Sequence, residues 1–246
     1  MGETTDKKSR TSKEDLELIE FLMGRRHGME MSHATLKIKI WNFTIRSTYV
    51  FKRTLDVIGS VLLLLCLSPV FILTAIWLKL DSPGPLIYRQ VRVGLNGKHF
   101  NFYKFRSMYT DADARLKELE SLNESSDGVI FKMKNDPRIT CCGRFIRKYS
   151  IDELPQLINV LLGDMSLVGP RPPMPKEVDQ YSLDDRKRLQ ILPGITCLWQ
   201  ISGRSDIPFN KQVQLDKEYI KSHSIWKDFL ILIKTIPAVL TGRGAY

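Results

Sequence analysis

The feature that most constrains the fold is an uncharged apolar run of 22 residues, VIGSVLLLLCLSPVFILTAIWL, at Val57–Leu78. A helix of about 20 apolar residues can cross the hydrocarbon core of a bilayer, so length alone favours a membrane-spanning helix. The Ser68–Pro69 pair near the middle of the run counts against that interpretation, because proline removes a backbone donor and bends or breaks a helix. Half of the run gives about 11 residues, or about 16 Å of helix, which reaches only the middle of a bilayer.

Basic residues flank both ends of this run. A spanning segment carries positive charge mainly on its cytoplasmic side, whereas basic flanks on both sides fit a hairpin that enters and leaves by the same face. We therefore expect a re-entrant membrane hairpin at 51–82, although proline kinks also occur in spanning helices. Asp56 begins the run and is costly at a membrane boundary unless it is paired, which points to a neighbouring cation. The flanking cations are Lys52 and Arg53 before the run, the predicted partners of Asp56, and Arg89, Arg92, Lys98, Lys104 and Arg106 after it.

The first 50 residues form a polar and basic arm ahead of this hairpin. Glu14–Met23 has a short helical pattern, and no apolar segment precedes a cleavage site as in a signal peptide. Leu36–Phe51 is both basic and apolar, which fits a segment on a membrane surface or a half-buried strand equally well. We expect a single membrane hairpin after this arm.

Residues 83–246 have the composition of a globular domain. Residues 86–108 alternate short strand-like pieces, 110–121 is a charged helical stretch, and 154–162 carries an apolar stripe at helical spacing. Residues 225–240 are very apolar but interrupted by charges and Pro237, as in a buried or interfacial amphipathic helix. The predicted fold class is α+β, mainly helical with a small β-sheet or hairpin.

The charge balance indicates anionic partners. Lys and Arg number 37 against 27 Asp and Glu, a formal net charge of +10, which suits nucleic acid, a phosphorylated substrate or an anionic membrane surface. The cysteines are too few and too irregularly spaced for a disulfide scaffold or a zinc site, and indicate a reducing compartment. They are Cys66, Cys141, Cys142 and Cys197.

Asp152 and Glu153 are the first candidates for chemistry. One interpretation is structural, because Ser150 and Glu153 spell a capping box before an apolar run. Pro155, however, favours the first position of a helix, which places both carboxylates just ahead of the positive end of that helix. Carboxylates in such a place can act as nucleophiles or metal ligands, and adjacent residues point in different directions and would divide the work.

Three arginine-bearing loops accompany this acidic pair. Arg171 lies between prolines in Gly169-Pro170-Arg171-Pro172-Pro173, a rigid presentation suited to a phosphate contact. Arg204 ends a second glycine-punctuated loop system, and Arg147 lies five residues before Asp152. Each arginine alone fits a solvated turn, but together with the acidic pair they suggest an anionic substrate bound through a metal.

Residues 51–246 resemble the bacterial sugar transferases, the monotopic polyprenyl-phosphate phosphoglycosyl transferases. The resemblance rests on a series of motifs in a fixed order, each of them weak alone. They are Lys52-Arg53-Thr54-Leu55-Asp56, Ser68-Pro69, Tyr103 to Met108, Asn135 to Thr140, Asp152 to Gln156, Gly163 to Pro172, Pro193 to Thr196 and Gln200 to Arg204. One position departs from the pattern, since Cys197 follows Thr196 where a glycine is expected.

The resemblance implies a helix broken at Ser-Pro in a bacterial inner membrane, with the catalytic domain facing the cytoplasm. It also implies a Mg²⁺-dependent transfer of a sugar 1-phosphate from a nucleotide sugar, usually a UDP-sugar, to polyprenyl (undecaprenyl) phosphate. Residue by residue, Asp152 would be the nucleophile that forms a covalent phosphosugar, and Glu153 would hold Mg²⁺. The partners implied are the donor, the lipid acceptor and the bilayer, with homo-oligomer formation and the identity of the sugar left open.

The resemblance and the loops assign further residues to the site. Arg147 and Arg171 are the predicted phosphate contacts. Lys104, Arg106, Gln200, Arg204 and Asp216 are predicted to bind substrate or support the site. Lys52, Arg53, Asp56, Ser68 and Pro69 are predicted to shape the membrane hairpin and the approach of the lipid carrier.

Two other classes of protein remain to be weighed against an enzyme. A nucleic-acid-binding module would explain the net charge and the aromatic and basic stretch His99–Arg106, which could stack bases. It would not explain the apolar run or the acidic pair. A membrane-anchored scaffold without catalysis would leave Asp152 and Glu153 as a helix cap, in which case Asp152→Asn would cost at most about 1 kcal/mol of stability.

Overall fold

The computed structural model describes residues 46–124 and 135–242, together with residues 21, 37, 39–41, 43, 44, 131, 133 and 244. The chain divides into two compact units, Met1–Lys52 and Arg53–Tyr246. In the first unit the described residues between 37 and 52 are helical, so the strand interpretation of Leu36–Phe51 is wrong for them. The helix predicted at Glu14–Met23 lies outside the described residues except for Phe21, which is helical.

The apolar run forms two helices joined at a sharp bend. Helix α1, Lys39–Cys66, and helix α2, Ser68–Asp81, meet at an angle of 59° across Leu67. Pro69 lies in the first turn of α2, where its missing donor costs little, so the break falls where the Ser68–Pro69 pair predicts it. Within the described residues, the bent pair α1–α2 has the combined length and apolar character to cross a bilayer, and no single helix has both.

A β-hairpin follows α2. Strand β1, Ile87–Val93, pairs antiparallel with β2, His99–Phe105, in a register that sets Ile87 opposite Phe105 and Val93 opposite His99. Alternate β2 side chains, Phe100 and Phe102, are buried, as the alternating pattern predicts. Because Phe105 is buried as well, aromatic side chains on which the nucleic-acid interpretation depends lie in the core.

Three helices come next. They are α3, Ala112–Leu119; α4, Cys141–Lys148; and α5, Gln156–Leu162. Thr140 caps α4 by accepting the N–H of Gly143 at 2.9 Å. Helix α5 ends at Gly163, whose φ of 94° is a left-handed conformation that favours glycine.

The rest of the domain is a short parallel sheet wrapped by helices. Strand β3, Ser166–Val168, pairs parallel with β4, Gly194–Thr196. The two backbones come so close that a Cβ at Gly194 would lie 2.0 Å from the nitrogen of Gly169. The remaining helices are α6, Pro175–Val178; α7, Leu198–Ser202; α8, Phe209–Lys221; and α9, Ile225–Thr241.

The main hydrophobic core forms where the β-hairpin, α5, the short sheet, α8 and α9 meet. Burial of these apolar side chains supplies the main driving force for the fold. Its buried members are Phe100, Phe102, Leu157, Val160, Met165, Leu167, Val168, Tyr219 and Ile231. A second cluster joins α2 to β2 and α4 through Leu78, Phe105, Cys142 and Ile146.

Arg53 and Asp56, predicted to partner each other, both contact the backbone around the α5–β3 connection. Arg53 donates to the carbonyl oxygens of Val160 and Met165, at the end of α5 and just after it, where a cation is favoured by the helix dipole. Asp56 is buried and its Oδ1 accepts the N–H of Leu167 at 3.1 Å. These contacts fix the second half of α1, from Arg53 onwards, against the α5–β3 connection.

Candidate active site

Asp152 and Glu153 lie in a 3-10 turn, Ile151–Glu153, between α4 and α5. Pro155 is the N-cap of α5, so both carboxylates precede that helix as predicted. The capping-box interpretation is wrong, because Ser150 has a left-handed backbone with φ 53° and its side chain caps no helix. The Ser150 hydroxyl instead accepts a hydrogen bond from Arg204. The turn therefore presents the two carboxylates to neighbouring side chains.

Lys104 of β2 contacts both carboxylates. Its Nζ lies 2.7 Å from Glu153 Oε1 and 3.5 Å from Asp152 Oδ2. Arg171 Nη1 donates to the same Glu153 Oε1 at 3.0 Å. Two cations thus contact the same oxygen of Glu153, and the Lys104 ammonium group lies between the two carboxylates.

The two carboxylates differ in their ionisation. Burial raises the pKa of Asp152, and Glu153 adds to the rise, while Lys104 opposes it. Burial alone would also raise the pKa of Glu153, but the charges of Lys104 and Arg171 outweigh it and leave this pKa below its usual range. Glu153 is therefore a firmly ionised anion, whereas Asp152 is a desolvated carboxylate whose reactivity depends on Lys104.

A cavity of about 690 Å³ opens over the acidic pair. We call it the active-site cavity. Its wall contains most of the predicted site side chains, from β2, α4, the Pro-rich loop and the α7 region. They are Lys104, Arg106, Arg147, Asp152, Glu153, Arg171, Gln200 and Arg204.

The loop residues reach the wall from defined backbone positions. Arg204 has a left-handed φ of 56° and bonds Ser150, so the loop after α7 is tied to the turn that carries the acidic pair. Arg171 also lies over the ring of Trp199, with 5.9 Å between the guanidinium carbon and the ring centroid. Cys197, the departure from the family pattern, is buried and its thiol donates to Gln200 Oε1 at 3.0 Å.

Two of the predicted site residues, Arg106 and Asp216, make contacts that stabilise the fold. Arg106 borders the cavity, but its guanidinium donates to the carbonyl oxygens of Pro83 and Ser82 and holds the turn after α2. Asp216 lies behind the wall, fully buried, and pairs with Arg188. Burial raises the pKa of Asp216 to about 6. Among the residues predicted to bind substrate or support the site, Asp216 is the one that does not line the cavity.

The cavity wall also contains residues that the sequence pattern did not single out as site residues. Arg92 is buried, and its Nη1 lies 4.0 Å from Glu177 Oε1. Burial lowers the pKa of Arg92 to about 10, with a contribution from Arg171, so it remains a cation at neutral pH. No sequence signal marks Glu177, a single acidic residue after a proline-rich stretch. Further residues of this kind include Tyr88, Gln90, Arg188, Trp199, Phe209 and Gln212.

The acidic pair could bind Mg²⁺ if phosphate oxygens of a substrate completed the coordination of the ion. Mg²⁺ takes one or two protein carboxylates and fills its remaining positions with phosphate oxygens and water. Glu153 and Asp152 offer that set, and the cationic contacts described for Glu153 fall on Oε1. Among the described residues, no three Asp, Glu, His or Cys side chains form a cluster that would bind a metal by themselves.

A buried acidic pair held among cations in one cavity is an arrangement suited to binding and stabilising negatively charged phosphoryl groups. The chain belongs to the bacterial sugar transferase family, whose model matches residues 47–242. This confirms the family resemblance on which the motif series converges.

Curated relatives extend the match. An undecaprenyl-phosphate galactose phosphotransferase of Salmonella typhimurium is 46% identical over 220 residues, covering 87% of this chain and 46% of the relative. An undecaprenyl-phosphate glucose phosphotransferase of Komagataeibacter xylinus is 43% identical over 208 residues, covering 79% and 37%. The exopolysaccharide production protein ExoY of Sinorhizobium fredii is 40% identical over 200 residues, covering 80% and 88%. The chain thus spans less than half of the first two relatives and most of the third.

Proposed function

We propose that this protein transfers a sugar 1-phosphate from a nucleotide sugar, a UDP-hexose, to polyprenyl phosphate and so starts the assembly of a polysaccharide or glycoconjugate. The observation that carries the proposal is the pair of adjacent buried carboxylates in a cavity whose wall contains cations, among them Lys104, Arg147, Arg171 and Arg204. The names of the relatives support the acceptor, because two of those named above are undecaprenyl-phosphate phosphotransferases.

Asp152 is the nucleophile of this reaction. Its carboxylate oxygen attacks the sugar-side phosphorus of the donor, the bridging P–O bond breaks, and UMP leaves with the electron pair. An oxygen of polyprenyl phosphate then attacks the phosphorus of the covalent phosphosugar, and the Asp152 carboxylate is released. Splitting the transfer into two displacements lets the two substrates use one site in turn.

Several side chains prepare the site for this chemistry. Lys104 favours the ionised form of Asp152 and opposes the rise in its pKa that burial causes. Arg147, Arg171 and Arg204 face the cavity and would contact donor phosphates. Glu153 would hold Mg²⁺, which would supply charge neutralisation on the transferring phosphoryl group.

The lipid acceptor places the reaction at a membrane, and α1–α2 suits a hairpin that enters and leaves by the same face. The bend at Leu67 and the contacts of Arg53 and Asp56 with the α5–β3 backbone support this arrangement. We place the protein in the bacterial inner membrane with its catalytic domain on the cytoplasmic side, where nucleotide sugars are made.

A turnover assay with the full chain tests the proposal. Detergent-solubilised protein is mixed with Mg²⁺, undecaprenyl phosphate and a panel of UDP-sugars, and UMP and lipid-linked product are measured. We expect turnover with at least one donor and a loss of about 10³-fold or more in Asp152→Asn. Asp184→Asn, which removes an exposed carboxylate away from the cavity, should retain full activity. A folded protein with no turnover for any donor would favour the scaffold interpretation.

A further inference from the structure

Glu177 of α6 is a buried acid whose carboxylate lacks a hydrogen-bond donor in the described part of the chain. Only 6% of the residue is exposed, and it lines the active-site cavity. Its described ion pair is with Arg92, at 4.0 Å, which is beyond hydrogen-bond range, and it lies near enough to Arg171 and Arg188 to interact with their charges. A carboxylate in a cavity wall whose described contacts include no hydrogen-bond donor is available to accept hydrogen bonds from a bound ligand.

Arg92 does not supply that donor, because its guanidinium is already engaged. Its Nε and Nη2 donate to Gln90 Oε1 at 3.0 and 2.7 Å, and its Nη1 donates to the carbonyl oxygen of Pro172 at 3.1 Å. Phe102 also lies under the guanidinium, with 5.4 Å to the ring centroid. Arg92 is therefore a fixed brace that holds Gln90 and the Pro-rich loop beside Glu177.

Gln90 contributes the complementary group. Its Oε1 is used by Arg92, and its Nε2 donates to Met174 Sδ at 3.6 Å. A thioether sulfur is a weak acceptor, so the amide can exchange this contact for a ligand oxygen. Gln90 and Glu177 both line the active-site cavity, which sets an amide donor and a carboxylate acceptor in one wall.

The position of this wall relative to the acidic pair identifies the part of the ligand that meets it. Pro172, which accepts from Arg92, follows Arg171 in the chain, and Arg171 donates to Glu153. A donor whose phosphates lie against Arg171 would bring the groups attached to them to the same cavity wall, which also contains Glu177. A carboxylate repels phosphate but accepts hydrogen bonds from hydroxyl groups, and a neighbouring amide donates to them.

We propose that Glu177 and Gln90, braced by Arg92, form a subsite that binds a vicinal hydroxyl pair of the nucleotide-sugar donor. This inference rests on the proposed function, since it names the group recognised beside the phosphates. The hydroxyl pair belongs either to the hexose ring or to the ribose. In the first case Glu177 helps to select the sugar, and in the second it selects the nucleotide.

The test measures UMP release by the full chain with a UDP-hexose that the wild-type protein uses, with its 2′-deoxyribose analogue and with monodeoxy-hexose analogues. Charged hydrogen bonds of this kind predict that Glu177→Ala lowers kcat/KM about 10- to 100-fold with the complete donor. Wild-type protein should lose a similar factor with one deoxy analogue, and Glu177→Ala should lose nothing further with that same analogue. Whether that analogue is modified in the ribose or in the hexose identifies the source of the hydroxyl pair.

Asp179→Asn is the matched control. Asp179 follows α6, is exposed and does not line the cavity, so its kcat/KM should equal that of the wild-type protein. Glu177→Gln, of nearly equal volume, provides a second variant, and a thermal melt checks that each variant is folded.

The comparison of complete and deoxy donors with wild-type protein does not depend on the folding of any variant. The proposal is overturned if wild-type protein accepts every deoxy donor within about threefold, or if Glu177→Ala loses the same factor with all donors. Absence of UMP release by wild-type protein with every complete donor would instead refute the proposed function, and this subsite with it.

Discussion

Charged side chains of the active-site cavity are more deeply buried than many apolar side chains of α9. Asp152 is 6% exposed, whereas Ile236 is 61% exposed. In the cavity, the buried charges are compensated by one another, as in the contacts of Lys104 and Arg171 with Glu153. On α9, an apolar stripe at helical spacing has no such cover, at Trp226, Phe229, Ile233, Ile236 and Leu240.

The difference shows which surroundings each region is built for. Buried ion pairs cost desolvation energy and are weak evidence for stability, so their presence in a cavity indicates a role in binding charge. Exposure of an apolar stripe to water is energetically unfavourable, and such a patch marks an interaction surface. A second exposed apolar stripe lies on α2, within the apolar run, at Ile72, Leu73, Ile76 and Leu80. The difference supports the proposed phosphate chemistry in the first region and is consistent with a proposed lipid interface at the second.

The largest expected effect comes from removing an arginine of the cavity. Arg171→Met should lower kcat/KM about 10³-fold, because it removes a cation from Glu153 and from the proposed phosphate position. Steady-state UMP release measures this loss. Arg186→Met removes an exposed arginine outside the cavity wall and should leave the rate unchanged. Equal rates for the two variants would remove Arg171 from the proposed phosphate site.

A pair of isoleucines on α9 sharpens the comparison for stability. Ile231 is 1% exposed in the core, and Ile233, two residues later, is 47% exposed. Ile231→Ala should lower the free energy of unfolding by about 3 kcal/mol, since it leaves a cavity. Ile233→Ala should change it by about 0.5 kcal/mol or less. Chemical denaturation of both variants in detergent measures the difference, and equal losses would contradict the two-faced description of α9.

Vesicle binding tests the exposed face of the same helix. Ile236→Glu should weaken sedimentation with lipid vesicles by about 2 kcal/mol, because an apolar side chain is replaced by a charge at the proposed interface. Ile236→Leu keeps the apolar volume and should bind like the wild-type protein. Undiminished binding of Ile236→Glu would show that this face of α9 meets something other than lipid.

The smallest expected effect is a displacement of the pH profile. Asp152 must be ionised to attack, and burial raises its pKa while Lys104 opposes the rise. Lys104→Met removes that opposition, so the acidic limb of single-turnover UMP release should move to higher pH. Lys117→Met, which removes an exposed lysine of α3, should leave the limb in place. A shift to lower pH would contradict the role given to Lys104.

Local signals in the sequence were sufficient for the elements whose pattern is local. The alternation in residues 86–108 predicts the β1–β2 hairpin, Ser68–Pro69 predicts the break before α2, and the apolar residues after 225 predict α9. The acidic pair, Arg171 and Arg204 are also recognisable, since they lie in motifs of fixed order, and Arg147 lies five residues before Asp152. The structure describes all five in or beside one cavity.

Non-local features were beyond the reach of the sequence. The parallel pairing of β3 with β4 joins two three-residue strands across 25 intervening residues, and no pattern of either strand announces it. The contacts of Arg53 and Asp56 with the α5–β3 backbone depend on the same tertiary arrangement. Glu177 shows the limit most clearly, because only its burial beside Arg92 distinguishes it from any surface acid.

Intact-protein mass spectrometry is the most direct test of the proposed covalent phosphosugar on Asp152. Full-length protein is mixed with Mg²⁺ and an active UDP-hexose in the absence of lipid, and its mass is measured before and after undecaprenyl phosphate is added. We expect the protein to gain the mass of one hexose phosphate as UMP is released, and to lose that added mass once lipid is present. Asp152→Asn should show no gain in mass. Lipid-dependent turnover without any adduct, retained in Asp152→Asn, would contradict this proposal.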